Sequence, residues 1–231
     1  MVFDSGRFAV GTISAKVREL ALRQRVMARP WQDILVLFAF VGLTLIMTYP
    51  LIMHLGTALL GPPGDNFEYL YKVWWFTHAL KERVSPFFVP DVFYPFGYRI
   101  IMSETTLSNI APAVLVTLLC DQIGSGLWSY PEVIGYNATL LLSFMLSGYT
   151  MYLLVRYVTG KWWAGLVSGV IFAFCPYRMA HLGAGHLPLM GTQWLPALFL
   201  CVEKWVRERR LKYAAWAGVF YALTALSSWY Y

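Results

Sequence analysis

Asp65 is the acidic residue whose surroundings best suit chemistry. It ends the turn-rich run Gly-Pro-Pro-Gly-Asp over residues 61–65, and a helical pattern follows over residues 66–83. One interpretation makes Asp65 a helix N-cap, with Glu68 completing a capping box that contributes about 1 kcal/mol. The other makes Asp65 a general base that takes a proton from a hydroxyl or amine acceptor. The two roles are compatible.

A second stretch with reactive side chains covers residues 176–187 and holds Arg178, His181 and His186. The planar guanidinium of Arg178 suits phosphate oxygens, so this residue is a candidate ligand for a lipid phosphate; the alternative is an arginine that snorkels to the membrane surface. The two histidines do not have the four-residue spacing that places metal ligands on one helical face. We predict substrate binding here, and the spacing does not support a divalent metal.

The composition indicates a membrane protein. Of the 231 residues, 58% are hydrophobic and only 13% are charged, and the mean hydropathy is +0.55. The surface of a soluble domain needs more charged residues than that. The formal net charge is +6, but the basic residues cluster beside apolar runs and form no long basic tract. Binding to a nucleic-acid backbone is therefore not expected.

Several apolar stretches are long enough to cross a bilayer, which takes about 20 helical residues. The sequence therefore predicts an all-α polytopic transmembrane fold with about five spanning helices, and with amphipathic interfacial helices in a long first extracytoplasmic loop. The five predicted spans cover residues 34–53, 133–155, 162–177, 182–202 and 213–231.

The distribution of lysine and arginine predicts the orientation of these spans. If residues 105–120 do not cross, 13 of the 18 basic residues lie on the cytoplasmic side and 5 lie outside. If they do cross, the division becomes 7 inside and 11 outside. Because short cytoplasmic loops retain basic residues, the non-crossing topology is preferred.

This topology predicts a multi-pass protein of the cell inner (plasma) membrane with a cytoplasmic N-terminus. A basic cytoplasmic segment covers residues 1–32, and the transmembrane domain covers residues 33–231. The first outer loop is residues 55–132 and the second is residues 176–187. The partners expected from this arrangement are the lipid bilayer and lipid-borne substrates.

The first outer loop contains most of the other candidate residues. Its helix over residues 66–83 has a polar side with Glu68 and an aromatic side with Trp74, so we expect it to lie flat at the membrane interface. Residues 105–120 are apolar enough to enter the bilayer without crossing it and to cover a cavity there. Asp91 and Glu104 are weaker acidic candidates for chemistry than Asp65, and each is interpreted as a solvated loop residue.

These features form a recognisable pattern along residues 31–231. It consists of a first span, then Gly64-Asp65, an aromatic helix through Trp74-Trp75, and Cys175-Pro176-Tyr177-Arg178 leading to His181 and His186. The pattern resembles the bacterial GT-C glycosyltransferases, which are multi-span membrane enzymes. Oligosaccharyltransferase catalytic subunits and protein O-mannosyltransferases share the layout in outline. The last predicted span stops at Tyr231 without a polar tail, so we expect an N-terminal fragment of a larger protein.

The resemblance implies an inverting glycosyltransferase that moves a sugar from a polyprenyl-phosphate-linked donor to an acceptor at the extracytoplasmic face. Asp65 stands at the position of the catalytic base in the first loop. Some relatives carry acidic pairs in the second loop where this chain has an arginine and two histidines, which argues against a metal-dependent mechanism. The residues expected to bind substrate are Glu68, Trp74, Arg178, His181 and His186.

Two other function classes stay open from the sequence. A membrane transporter or lipid flippase would have ionisable residues or broken helices near the bilayer midplane. Pro50, Pro188 and Pro196 can break helices, but the centres of the predicted spans hold no charged residue. A non-catalytic membrane scaffold is also compatible with the sequence.

Overall fold

The structure is a computed structural model that describes residues 30–123 and 130–231. Most of the predicted cytoplasmic segment 1–32 lies outside these ranges. The described chain is mostly helical, with 73% helix and few strands. The α-helices in the described ranges are α1 (Pro30–Met47), α2 (Asp65–Glu82), α3 (Leu107–Ile123), α4 (Pro131–Thr159), α5 (Trp162–Ala173), α6 (Pro176–Gly183), α7 (Trp194–Glu208) and α8 (Leu211–Ala225).

Helix α4 is the centre of the fold, and α1, α3, α5 and α7 all pack against it. Gly148 on α4 and Gly169 on α5 lie at a close approach of the two backbones, because a Cβ at Gly169 would be 2.5 Å from the carbonyl oxygen of Gly148. Phe40 of α1 packs into the same contact and is fully buried. Burial of a phenylalanine contributes about 1.5–3 kcal/mol. Small residues thus allow three helices to meet closely.

Asn137 attaches α4 to the start of the first loop. Its side-chain Nδ2 donates hydrogen bonds of 2.8 Å to the carbonyl oxygens of both Leu55 and Ala58. The side chain is fully buried, and a buried amide is costly unless it is hydrogen-bonded. This contact fixes the point from which the chain continues towards Asp65.

Two segments of the described chain are long and apolar enough to cross a membrane: α4, and Trp162–Gly183, in which α5 continues into α6. At 1.5 Å per residue α4 is about 43 Å long, against about 30 Å for the hydrocarbon core of a bilayer. Val167 and Ile171 on α5 are 54% and 65% exposed, which favours lipid over water around them. These segments support a membrane location. The predicted topology of about five spans is not confirmed.

The first and last predicted spans are shorter helices than expected. Helix α1 ends at Met47 rather than at residue 53, because Pro50 has no N–H to donate and disfavours a helical conformation in the residue before it. A 3-10 turn, Leu51–His54, follows. Helix α8 ends at Ala225, short of the predicted end at residue 231.

The span predicted over residues 182–202 is wrong as one continuous helix. Helix α6 ends at Gly183, a 3-10 turn follows at Leu187–Met190, and α7 begins only at Trp194. Gly185 adopts a φ of +77°, which interrupts a right-handed helix. Conversely, the predicted second loop, residues 176–187, is helical over its first eight residues. The helix break thus lies beside the histidines.

The helix predicted over residues 66–83 is confirmed as α2. It packs against α3 and α4, with Val73 fully buried, while the neighbouring Trp74 is 43% exposed. A short antiparallel hairpin of β1 (Phe88–Val89) and β2 (Tyr98–Arg99) follows it. The apolar stretch 105–120 forms the regular helix α3, and its non-crossing orientation stays a prediction.

Candidate active site

A cavity of about 420 Å³ lies where the two predicted reactive stretches meet. A volume between about 300 and 1,000 Å³ is typical of small-molecule sites. Its wall combines two carboxylates, two imidazoles and three phenols with one proline and one leucine. The lining residues are Asp65, Tyr69, Glu104, Tyr177, His181, His186, Pro188, Leu189 and Tyr230.

Asp65 is the first residue of α2, and its neighbour Asn66 holds the turn that precedes the helix. Asn66 is fully buried; its Oδ1 accepts from the backbone N–H groups of Gly64 and Phe67, at 3.0 Å each. The predicted capping box of Asp65 and Glu68 is therefore wrong, because Asn66 provides the side-chain oxygen at this helix start. Asp65 is left with its carboxylate directed to the cavity.

Asn66 also bonds the loop before it. Its Nδ2 donates to the carbonyl oxygens of Leu60 at 3.1 Å and Pro62 at 3.2 Å. All four hydrogen-bonding sites of this amide are thus used, which is the full capacity of an asparagine side chain. The turn that presents Asp65 is consequently a fixed structure.

Two glycines let the first and second loops approach each other. Gly61 has a φ of +87°, and a Cβ there would overlap the carbonyl oxygen of Gly183. Gly185 has a φ of +77°, and a Cβ there would lie 2.6 Å from the backbone nitrogen of Asn66. Side chains are disfavoured at both positions by conformation and by space. The close approach places the residue after Gly185, His186, beside Asp65.

The closest contact of the Asp65 carboxylate in the cavity is with His186, whose Nε2 lies 3.3 Å from Oδ2 of Asp65. The Asp65 side chain is 55% exposed and that of His186 is 35% exposed, so ligands can reach both. On its other side, His186 presents Nδ1 to Nδ1 of His181 at 2.6 Å. The ring of His181 in turn meets Tyr177 edge-on, with centroids 4.3 Å apart. The predicted base and both predicted histidines therefore form one connected group.

Glu104 contributes the second carboxylate of the cavity. Its Oε1 accepts hydrogen bonds from the Ser228 hydroxyl and, at 2.9 Å, from the backbone N–H of Trp229. Interpretation of Glu104 as a solvated loop residue was thus wrong, because it binds the segment after α8 and brings Tyr230 to the cavity. The Glu104 carboxylate is therefore less able than that of Asp65 to accept further hydrogen bonds from a ligand.

Three of the predicted substrate-binding residues lie outside the cavity wall. Glu68 forms an ion pair of 2.6 Å with Lys72, and Trp74 stacks on the ring of His78.

Arg178 is 1% exposed, and its Nη2 donates to Ser143 at 2.9 Å and to the Met190 carbonyl oxygen at 3.0 Å. The alternative of an arginine snorkelling to the membrane surface is therefore wrong.

Arg178 is also packed 4.3 Å from the ring centroid of Phe144, which adds a cation–π contact. Its Nε and Nη1 have no hydrogen-bond partner among the described residues. Arg178 thus connects α6 to α4 and to the turn before α7, and this holds one wall of the cavity in place.

Tyr69 provides a neutral hydrogen-bonding group at the base of the cavity. Its side chain is 6% exposed, and burial raises the pKa of the phenol, with further increases from the nearby carboxylates of Glu68, Glu104 and Asp65. A hydroxyl that stays protonated can donate to a ligand oxygen. Sequence reasoning did not identify Tyr69 as a candidate residue.

No protein-family model, curated protein or solved structure matches this chain. Function is therefore inferred from the chemistry of the cavity. No group of three or more metal-ligating side chains occurs within residues 30–123 and 130–231. The cavity combines a reachable carboxylate, an adjacent imidazole pair and phenol donors, a set that suits proton transfer on a polar, uncharged or phosphorylated ligand.

Proposed function

We propose that this protein is a membrane glycosyltransferase of the GT-C type, which moves a sugar from a polyprenyl-phosphate-linked donor to an acceptor at the extracytoplasmic face. Asp65 takes the proton of the acceptor hydroxyl or amine while the acceptor atom attacks the anomeric carbon. The bond between that carbon and the phosphate oxygen breaks, and the lipid phosphate leaves with the electron pair. Attack from the opposite side inverts the anomeric configuration.

The observation that carries the proposal is the position of Asp65 on the wall of an open cavity, beside an imidazole and away from any lysine or arginine ion pair within the described residues. A general base must be reachable by the acceptor and able to approach its proton within about 3 Å. The exposure of Asp65 satisfies the first requirement. Tyr177 and Tyr230 supply aromatic surface in the same wall, which suits one face of a sugar ring.

The test is transfer by the full chain in proteoliposomes, supplied with a panel of polyprenyl-phosphate sugars and hydroxyl or amine acceptors. Asp65→Asn keeps the size of the side chain and removes the base, so we expect transfer to fall by about 10²- to 10⁴-fold. Asp91→Asn is the matched control, because Asp91 is exposed and does not line the cavity. It should transfer like the unmodified protein.

Two outcomes would contradict the proposal, and they differ in meaning. Full transfer by well-folded Asp65→Asn would remove Asp65 from the catalytic role. Absence of transfer by the unmodified chain with every donor of the panel would count against the glycosyltransferase itself. Circular dichroism of each variant establishes that the fold is retained.

A transporter or lipid flippase is the second candidate, and one observation favours it. The chain unwinds between Gly183 and Trp194, so that a helix break lies beside the buried Arg178. Broken helices with ionisable residues are typical of substrate sites in transporters. Movement of a polyprenyl-phosphate sugar across the liposome bilayer, without transfer of the sugar, would support this candidate over the glycosyltransferase.

A further inference from the structure

The contact between His181 and His186 limits where protons can be. The two Nδ1 atoms are 2.6 Å apart, which is a hydrogen-bond distance. A neutral imidazole has one nitrogen that donates and one that accepts. Two protonated Nδ1 atoms would repel each other, and two bare ones would bring lone pairs together. The contact therefore holds one proton, carried by one of the two Nδ1 atoms.

The Asp65 carboxylate decides which histidine carries that proton. An ionised carboxylate can only accept hydrogen bonds. If Nδ1 of neutral His186 carried the proton, its bare Nε2 would face Oδ2 of Asp65 at 3.3 Å, which is repulsive. If Nδ1 of His181 carries it, Nδ1 of His186 accepts and Nε2–H of His186 points to Asp65. For a neutral His186, only the second arrangement satisfies both contacts.

We infer that His181 is a positioning residue that acts through His186. It donates its Nδ1–H to Nδ1 of His186, and so selects the tautomer whose Nε2–H faces Asp65 and stabilises the ionised carboxylate. The consequence for catalysis rests on the proposed function, whereas the tautomer itself does not. Both histidines were expected from the sequence to bind substrate, and this role is different.

The other groups around the pair are compatible with this assignment. Tyr177 meets His181 by a ring-edge contact. The remaining titratable groups of the cavity are Tyr69, Glu104 and Tyr230. Glu104 already accepts hydrogen bonds from Ser228 and Trp229, so the carboxylate that is left to interact with His186 is Asp65.

Two substitutions of nearly equal shape test the inference. In asparagine or aspartate, one of the two terminal side-chain atoms can lie at about the position that Nδ1 has in histidine. His181→Asn retains an N–H that can donate to Nδ1 of His186. His181→Asp can only accept when ionised, so it requires a proton on Nδ1 of His186, either in the opposite neutral tautomer or in an imidazolium between two carboxylates.

The measurement is ¹⁵N NMR of histidine-labelled full chain in lipid nanodiscs, with two-bond correlations to the ring protons that identify each tautomer. The chain has 4 histidines, and the His186 signals are assigned by their loss in His186→Gln. We expect the neutral Nε2–H tautomer of His186 in the unmodified protein and in His181→Asn, and a protonated Nδ1 of His186 in His181→Asp. An Nδ1–H tautomer or a doubly protonated His186 in the unmodified protein overturns the inference. So does the same tautomer in both variants.

Transfer kinetics supply the functional test. His181→Asp should lower kcat by roughly tenfold to a hundredfold with little change in KM. Mutation of a residue that orients a functional group by a hydrogen bond typically reduces activity by about that factor. His181→Asn keeps the donor and should therefore retain a higher kcat than His181→Asp. If no variant and no unmodified chain transfers sugar, the proposed function fails while the NMR result still decides the tautomer. If His181→Asp does not fold, the unmodified protein and His181→Asn decide it.

Discussion

The buried ammonium group of Lys72 donates a 2.9 Å hydrogen bond to the backbone carbonyl oxygen of Glu104. It joins the middle of α2 to the short segment before α3, from which the Glu104 side chain reaches the cavity. The same ammonium pairs with Glu68 and lies 4.6 Å from the ring centroid of Tyr69. Lys72 thus fixes one carboxylate of the cavity without touching the cavity itself.

Replacement of Lys72 by methionine should lower the free energy of unfolding by about 1–3 kcal/mol, because a buried carbonyl loses its donor. Thermal unfolding in detergent micelles, followed by circular dichroism, measures the change. Lys81→Met is the control, since the Lys81–Asp121 pair is partly exposed and should contribute less than about 1 kcal/mol. Equal destabilisation by both variants would show that the carbonyl contact of Lys72 does not stabilise the fold.

Replacement of Asn66 by leucine should destabilise the turn before α2. Four hydrogen bonds are lost, and each buried group left without a partner costs about 1–3 kcal/mol. We expect a lower unfolding temperature and faster proteolysis between residues 60 and 65. Phe67→Leu, at a position that is 54% exposed, should change neither measurement appreciably. Unchanged proteolysis of the Asn66 variant would contradict the role of Asn66 in this turn.

Two glycines of the second loop form a matched pair for a test of loop packing. Gly185→Ala places a Cβ against the backbone of Asn66 at a φ of +77°, so it should reduce both stability and sugar transfer. Gly183→Ala meets nothing within 4 Å and should be neutral or slightly stabilising within α6. Transfer assays and thermal unfolding of the two variants give the comparison. A neutral Gly185→Ala would mean that the two loops can separate without loss of function.

Labelling of single cysteines tests the predicted orientation. In a variant with Cys120, Cys175 and Cys201 replaced by alanine, Asp91→Cys should react with a membrane-impermeant maleimide on intact cells. Lys161→Cys, just after α4, should react only after the cells are permeabilised, because basic residues favour the cytoplasmic side. Reaction of both positions from the same side would contradict the predicted topology.

Hydrophobicity predicted the helices well where one helix fills the whole apolar stretch, as in α2 and α4. It failed around residues 182–202, because the average over a window hides the effect of single glycines and prolines. The backbone of Gly185 turns where the neighbouring apolar residues alone indicate a continuous helix. Local conformational preference outweighed the apolar pattern at that point.

The two halves of the candidate site were predictable separately, but their contact was not. Residue types and their positions in the two predicted loops identified Asp65, His181 and His186. The role of Asn66 depends on carbonyl groups that only the folded turn presents, and that of Glu104 depends on the segment after α8. The contacts of Glu104 join residues more than 120 positions apart, and no local pattern contains them.

The partnership of Asp65 with His186 also sets an order of events during synthesis. His186 follows Asp65 by roughly half of the chain, so a ribosome completes α2 and α3 before the imidazole exists. At about 5–20 residues per second, this delay is on the order of ten seconds. Throughout it the carboxylate remains without its imidazole, and the cavity that both residues line is incomplete until the second loop emerges and meets the first.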